Sequence, residues 1–144
     1  MMDSTLKGTI HRQREAIART LHEPIAQIAG ACAAVWGDRG QLNEVLMAGC
    51  GHIPSCGALF VVDPAGRQIS DTVSATGAEP ADVGRDRSTR PYMREAVPAW
   101  GFLLSDAYVG LVSHRPSPTA LHVVRRDWEL LGYVGATFNL KDLP

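Results

Sequence analysis

The segment GRDRSTRPYMREAV, residues 84–97, gathers Arg85, Arg87, Arg90 and Arg94 around a Pro-Tyr pair in a chain whose formal net charge is only −1. A guanidinium is a planar fork of donors that fits a carboxylate through two parallel hydrogen bonds, and the unpaired amides at a helix start favour negative charge in the same place. Ser88 or Thr89 can cap a helix with Pro91 in its first turn, so Arg90 stands where both effects act. The chemistry in view is the grip on a small acid. A structural ion pair with Asp86 is the competing use of Arg90. Arg85, Arg87 and Arg94 read as solvated charges or as partners for Asp82, Asp86 and Glu95.

A second cluster combines Cys50, His52 and Cys56, which Cys32 would complete to a set of thiolate and imidazole ligands for zinc. No C-x-x-C pair is present, however, and structural zinc sites favour tighter paired spacing. The competing reading buries all three cysteines as small apolar residues. A catalytic thiol would need His52, His114 or His122 brought to it by the fold, and no nucleophile motif or carboxylate pair stands out. The expectation is therefore a non-enzymatic protein with no cofactor and no metal. Three cysteines cannot all pair within one chain, so they read as free thiols.

At 144 residues the chain suits one soluble domain, and its near-neutral charge argues against general nucleic-acid binding. No apolar run approaches the roughly 20 residues that span a bilayer. The start, MMDSTLKGTIHRQREA, lacks the apolar stretch of a secretion signal. A cytoplasmic location and no membrane partner are expected.

These side chains need elements to hold them. From Thr5 to Trp36, good helix formers carry Ile10, Ile17, Leu21, Ile28 and Val35 at steps of four and seven, which makes one apolar stripe. The stripe is narrow before Pro24 and widened after it by Ile25, Ala29, Cys32, Ala33 and Trp36, so the second half should be buried in the domain. Pro24 should bend this helix. The narrow half then needs a partner, most simply the same helix of a second copy or else its own domain. A short helix at 41–48 follows, ended by GCGHIPSCG. Then ALFVVD, PAG and RQISDTV read as a hairpin, SATGAEPADVGRDRS as a loop, and residues 89–97 as a helix stopped by Pro98. Three strands follow, SDAYVGLVS from 105, TALHVVRR from 119 and GYVGATFNL from 132, linked by HRPSP and DWELLG. The order predicts an α+β fold: a five-stranded antiparallel sheet with a long N-terminal helix, divided into a helical segment (1–50) and a core (51–144).

VVDPAGRQISD, DRSTRPYM, SDAYVG and GYVGATFNLKDL resemble, in that order, the motifs of the Cache group of PAS-like (PDC-type) sensor domains. These are a strand, a D-x-x-G turn and second strand, a D-x-S-x-R-P-Y helix start, an S-x-x-Y strand and a closing G-x-x-G-x-x-x-x-L strand, together covering about residues 58–143. The resemblance implies a small molecule held between the sheet face and a helix-loop segment before the third strand. It implies that Arg90 and Tyr92 grip the acidic end of that ligand and that Tyr108 lines the pocket from the sheet. An apolar helix face could equally bury Tyr92.

Amino-acid-binding members commonly place an aspartate in the last strand. Here the matching position is Thr137, or Asn139 if the register slips, and neither is an anion. That departure favours a small carboxylate or compact anion without an ammonium group. Ser113, His114 and His122 could add donors, although His122 shares a strand side with Ala120 and Val124 and reads equally as a core histidine. The sequence thus points to a signal-sensing domain for a small anionic metabolite, a homodimer through its first helix with a signalling partner still to be identified. A structural module with a filled pocket is the alternative. Trp128, in DWELLG, should be partly exposed.

Overall fold

The structure, a computed structural model, describes residues 19–53, 56–88, 101–104 and 119–138. Helix α1 occupies 19–34 and runs through Pro24 with its helical assignment unbroken. Leu21, Ile25, Ile28, Ala29 and Cys32 are all buried, so the apolar stripe after Pro24 faces the core as its spacing requires. A turn at 35–37 leads to α2 (Arg39–Cys50), capped by Asp38, whose Oδ1 accepts the Gln41 amide at 3.1 Å. The cap accounts for α2 starting two residues before the expected 41. Arg126 donates to the Ala33 carbonyl, satisfying an orphan acceptor at the end of α1.

The strands are β1 (Cys56–Val62), β2 (Thr72–Ser74), β3 (Gly77–Glu79), β4 (Phe102–Leu104), β5 (Thr119–Arg126) and β6 (Glu129–Phe138). They form one sheet in the order β3-β2-β1-β6-β5-β4, with every neighbouring pair antiparallel. The α+β class with an antiparallel sheet stands, but the described residues alone contribute six strands rather than five. β4 lies just before the strand expected from 105, and β3 lies inside the stretch expected to be a loop. All three of its residues are exposed, so it carries no apolar alternation by which a sequence could announce it.

Another boundary differs. The DWELLG link shrinks to Asp127 and Trp128, because β6 begins at Glu129 and its first residues, at the hairpin tip, are exposed. Asp127 takes the left-handed backbone such a tight turn needs (φ 55°), and Trp128 is fully exposed rather than partly so. The expected helix at 89–97 and the strand from 105 lie outside the described residues.

Pairing registers sort the sheet into two faces. Ala120, Val124, Val134 and Ala136 pack with Leu59, Val61 and Val73 under α1 and α2. Phe60, Val62 and Leu121 form a second apolar cluster on the other face, with Leu103 and Tyr133 against it. The G-x-x-G of the closing strand has a reason in this geometry, since residues an odd number apart on a strand face opposite ways. Gly132 makes room on the helix side, where a Cβ would stand 2.8 Å from Cη2 of Trp36. Gly135 makes room on the other side, where a Cβ would collide with the Phe60 ring.

Candidate functional site

The D-x-x-G turn begins the site. Asp63 Oδ1 accepts the amides of Ala65 (3.0 Å) and Arg67 (2.9 Å), and the Gly66 amide donates to the Asp63 carbonyl at 2.9 Å. Gly66 has φ +92°, where a side chain would be strained. It also lies against Ser88, whose Cα would be 3.0 Å from any Cβ added there.

This close approach reflects how residues 84–88, which lead into the R-P-Y motif, are fastened to the β1–β2 connection. Gly84 donates to the Gln68 carbonyl (2.8 Å), Gln68 to that of Arg85 (2.9 Å) and Arg87 to that of Gly66 (2.8 Å), with Arg67 and Asp86 forming an antiparallel bridge. The supposed loop is ordered by backbone pairing, to which its small polar side chains give no clue. The Asp86 carboxylate accepts the Ser88 amide at 2.9 Å, and hydrogen bonding from the Ser88 side chain and from that amide, with Arg67 nearby, holds its pKa below the usual value.

The arginines divide. Arg85 pairs with Asp82 at 3.1 Å while half exposed, as its structural reading has it. Arg87 is only 12% exposed and reaches Asp82 at 3.9 Å. Its guanidinium lies 4.2 Å over the Phe60 ring centroid, and its Nε donates to Gln68 Oε1 at 2.7 Å. Buried Gln68 in turn donates to the Ser70 carbonyl (2.8 Å) and Thr72 Oγ1 (3.0 Å). The sequence reading passed over both Gln68 and this use of Arg87. A glutamine within the alternating run RQISD was the one available signal.

Of the proposed ligand-binding residues, Arg90, Tyr92, Tyr108 and Ser113 lie outside the described residues, as do His114 and Asn139. Thr137 pairs with Ala58 on β1 and Thr119 on β5, on the face of Phe60 and Leu121. His122 stands on the opposite, helix-covered face, beside Val134 and Phe102 in register. The two therefore do not line one pocket, because neighbouring side chains along a strand alternate and an odd register offset separates them. His122 is half-buried and stacks on His22 of α1, and its Nδ1 lies 2.8 Å from the Val123 carbonyl oxygen. Burial pushes its pKa down, outweighing that backbone contact, and His22 and Arg125 add to the lowering. This environment matches the core-histidine reading.

Cys32 is buried in the core, which pushes its thiol up to about 12, and Cys50 is a partly buried free thiol. The Cys56 side chain lies outside the described residues. Among the described residues no group of three or more His, Cys, Asp or Glu is placed to hold a metal. Among them, too, no helix is long and apolar enough to cross a membrane.

No protein-family model and no curated protein matches the chain. Solved structures do match. An extracellular ligand binding receptor from Desulfohalobium retbaense superimposes with a TM-score of 0.72 at 16% identity, covering 93% of this chain and 25% of the other. The sensory domain of a Campylobacter jejuni chemoreceptor with isoleucine bound gives 0.70 at 15% identity, covering 97% of this chain and 57% of that one. The ligand-binding domain of a Pseudomonas fluorescens chemoreceptor in complex with L-isoleucine gives 0.64 at 18% identity, over 91% and 51%. The chain thus has the fold of these sensor domains, the Cache-type fold that its motifs imply, and spans between a quarter and three fifths of their lengths.

Proposed function

We propose that this chain is a signal-sensing domain that binds a small anionic metabolite, a carboxylate, between the R-P-Y segment and the sheet face away from the helices. Arg90 and Tyr92 would grip the acid, with Tyr108 and Thr137 completing the wall and Ser113 adding a donor. One observation carries this reading. The segment that leads into the motif is bonded to the β1–β2 connection, and its Arg87 lies on the Phe60 face of the sheet, the face on which Thr137 also stands. Structural neighbours bind isoleucine, which supports a small ligand with an acid group. Thr137 in place of an aspartate favours an anion over an amino acid.

Ligand entry would tighten the R-P-Y segment, and the shift would reach α1 through the sheet, provided that the ligand binds the two arrangements unequally. A homodimer through the first helix, a cytoplasmic location and a signalling partner belong to the same reading. It needs no chemical step and no cofactor.

Thermal-shift screening of small carboxylates against wild type and Arg90→Ala tests the core of it. Losing a charge-assisted hydrogen bond should weaken binding by about 10- to 100-fold. Equal shifts in both proteins would remove Arg90 from the site. Sedimentation velocity tests the dimer.

A second reading, a structural or interaction module with a filled pocket, is favoured by Phe60 and Leu121, both 1% exposed on the same face. Under it, no carboxylate would raise the melting temperature.

A further inference from the structure

The helix side of the sheet has a hollow of its own, of about 310 Å³, where the α1–α2 turn, the first turn of α2 and the β1–β2 connection meet. Trp36, Leu42 and Ile69 supply an apolar wall, and Arg39 and Asp63 supply opposite charges. The Arg39 side chain is 58% exposed, and among the described residues its ion pair is a long contact from Nε to Asp71 Oδ1 at 3.8 Å, which leaves the terminal nitrogens of its fork without a hydrogen bond among those residues. Asp63 commits Oδ1 to two turn amides, while its Oδ2 takes part in no hydrogen bond among the described residues. Two residues of opposite charge, Arg39 and Asp63, thus line one open hollow together with Trp36.

We infer that this hollow is a second ligand site, for a small zwitterion with an aliphatic side chain, of the α-amino acid class. Its carboxylate pairs with the Arg39 fork, its ammonium group with Asp63, and its side chain lies against Trp36, Leu42 and Ile69. The mixed charge selects the class. A simple anion would meet the Asp63 carboxylate, and a simple cation the Arg39 guanidinium, whereas a zwitterion satisfies both. The volume is at the small end of ligand cavities, which suits a compact molecule. Bound there, it ties the end of α1 to the β1–β2 turn. The site is separated by the sheet from the one proposed above and does not depend on it.

The experiment uses the full chain labelled with 5-fluorotryptophan, whose fluorine resonance for Trp36 is assigned with Trp36→Phe and titrated with L-leucine. A saturable shift of the Trp36 resonance is expected. Leucinamide, which lacks the carboxylate, and N-acetylleucine, which lacks the ammonium group, should each bind at least about tenfold more weakly. Arg39→Gln, at an exposed position, and Asp63→Asn, which keeps the Oδ1 acceptor of the turn, should weaken leucine binding to the same extent. Arg90→Ala should leave it unchanged. A Trp36 resonance that stays still at about 10 mM leucine, or equal affinity in Arg39→Gln and for leucinamide, overturns the assignment. If Asp63→Asn does not fold, the Arg39 variant and the two analogues decide the question.

Discussion

His22 on α1 and His122 on β5 stack with ring centroids 5.5 Å apart and planes 14° from parallel, and the Phe102 ring lies 5.2 Å from His22. This stack joins helix to sheet. Burial holds the folded pKa of His122 below the ordinary histidine value of 6.5, so the unfolded chain binds the proton more readily. The contribution to stability is full above that value and is lost as pH falls through the depressed folded pKa. Urea melts at pH 7.5, 6.5 and 5.5 should show stability falling with pH, and His122→Gln should flatten the decline. An unchanged slope in the variant would show that other groups set it.

Cys32, at 0% exposure and with its thiol near 12, should resist alkylation in the folded protein at pH 8, and its labelling rate should track global unfolding in urea. Cys50 should react first. Peptide mapping by mass spectrometry after timed alkylation distinguishes the two, and comparable rates at low urea would contradict the packing of α1.

Gly135→Ala places a methyl group where the Phe60 ring stands, and should destabilise the fold by about 1–3 kcal/mol through overpacking. Phe60→Leu should relieve part of that cost. In a double-mutant cycle read by urea denaturation, the pair should be less destabilising than the sum of the single changes. Simple additivity would mean that the ring moves aside freely.

Arg87→Lys keeps the charge but cannot reproduce the Nε donor to Gln68 while lying flat on Phe60. Leaving the buried Gln68 oxygen without that donor should cost about 1–3 kcal/mol. Arg85→Lys, at a half-exposed ion pair, should cost well under about 1 kcal/mol. Similar urea midpoints for the two variants would place Arg87 among the ordinary surface arginines.

The sequence alone determined the elements whose side chains repeat with the period of their backbone. The stripe of Leu21, Ile25, Ile28 and Cys32 is buried, and TALHVVRR forms β5 over the residues its pattern marks. The motifs that resemble Cache domains fixed the fold class, because their glycines and the Asp63 turn answer to local needs for space and hydrogen bonds that any chain of this fold must meet.

Only the tertiary structure decided the rest. β3 is fully exposed, so its pairing with β2 rests on backbone hydrogen bonds that no side-chain pattern records. Whether His122 and Thr137 share a pocket depends on which face each strand turns toward the helices, a consequence of register between distant segments. Arg87, indistinguishable in sequence from Arg85, became the less exposed of the two because residues 84–88 pair with 66–68 and carry it over Phe60. A local pattern can state what a residue prefers to bury. Which neighbour it meets is set by chain crossings many residues away.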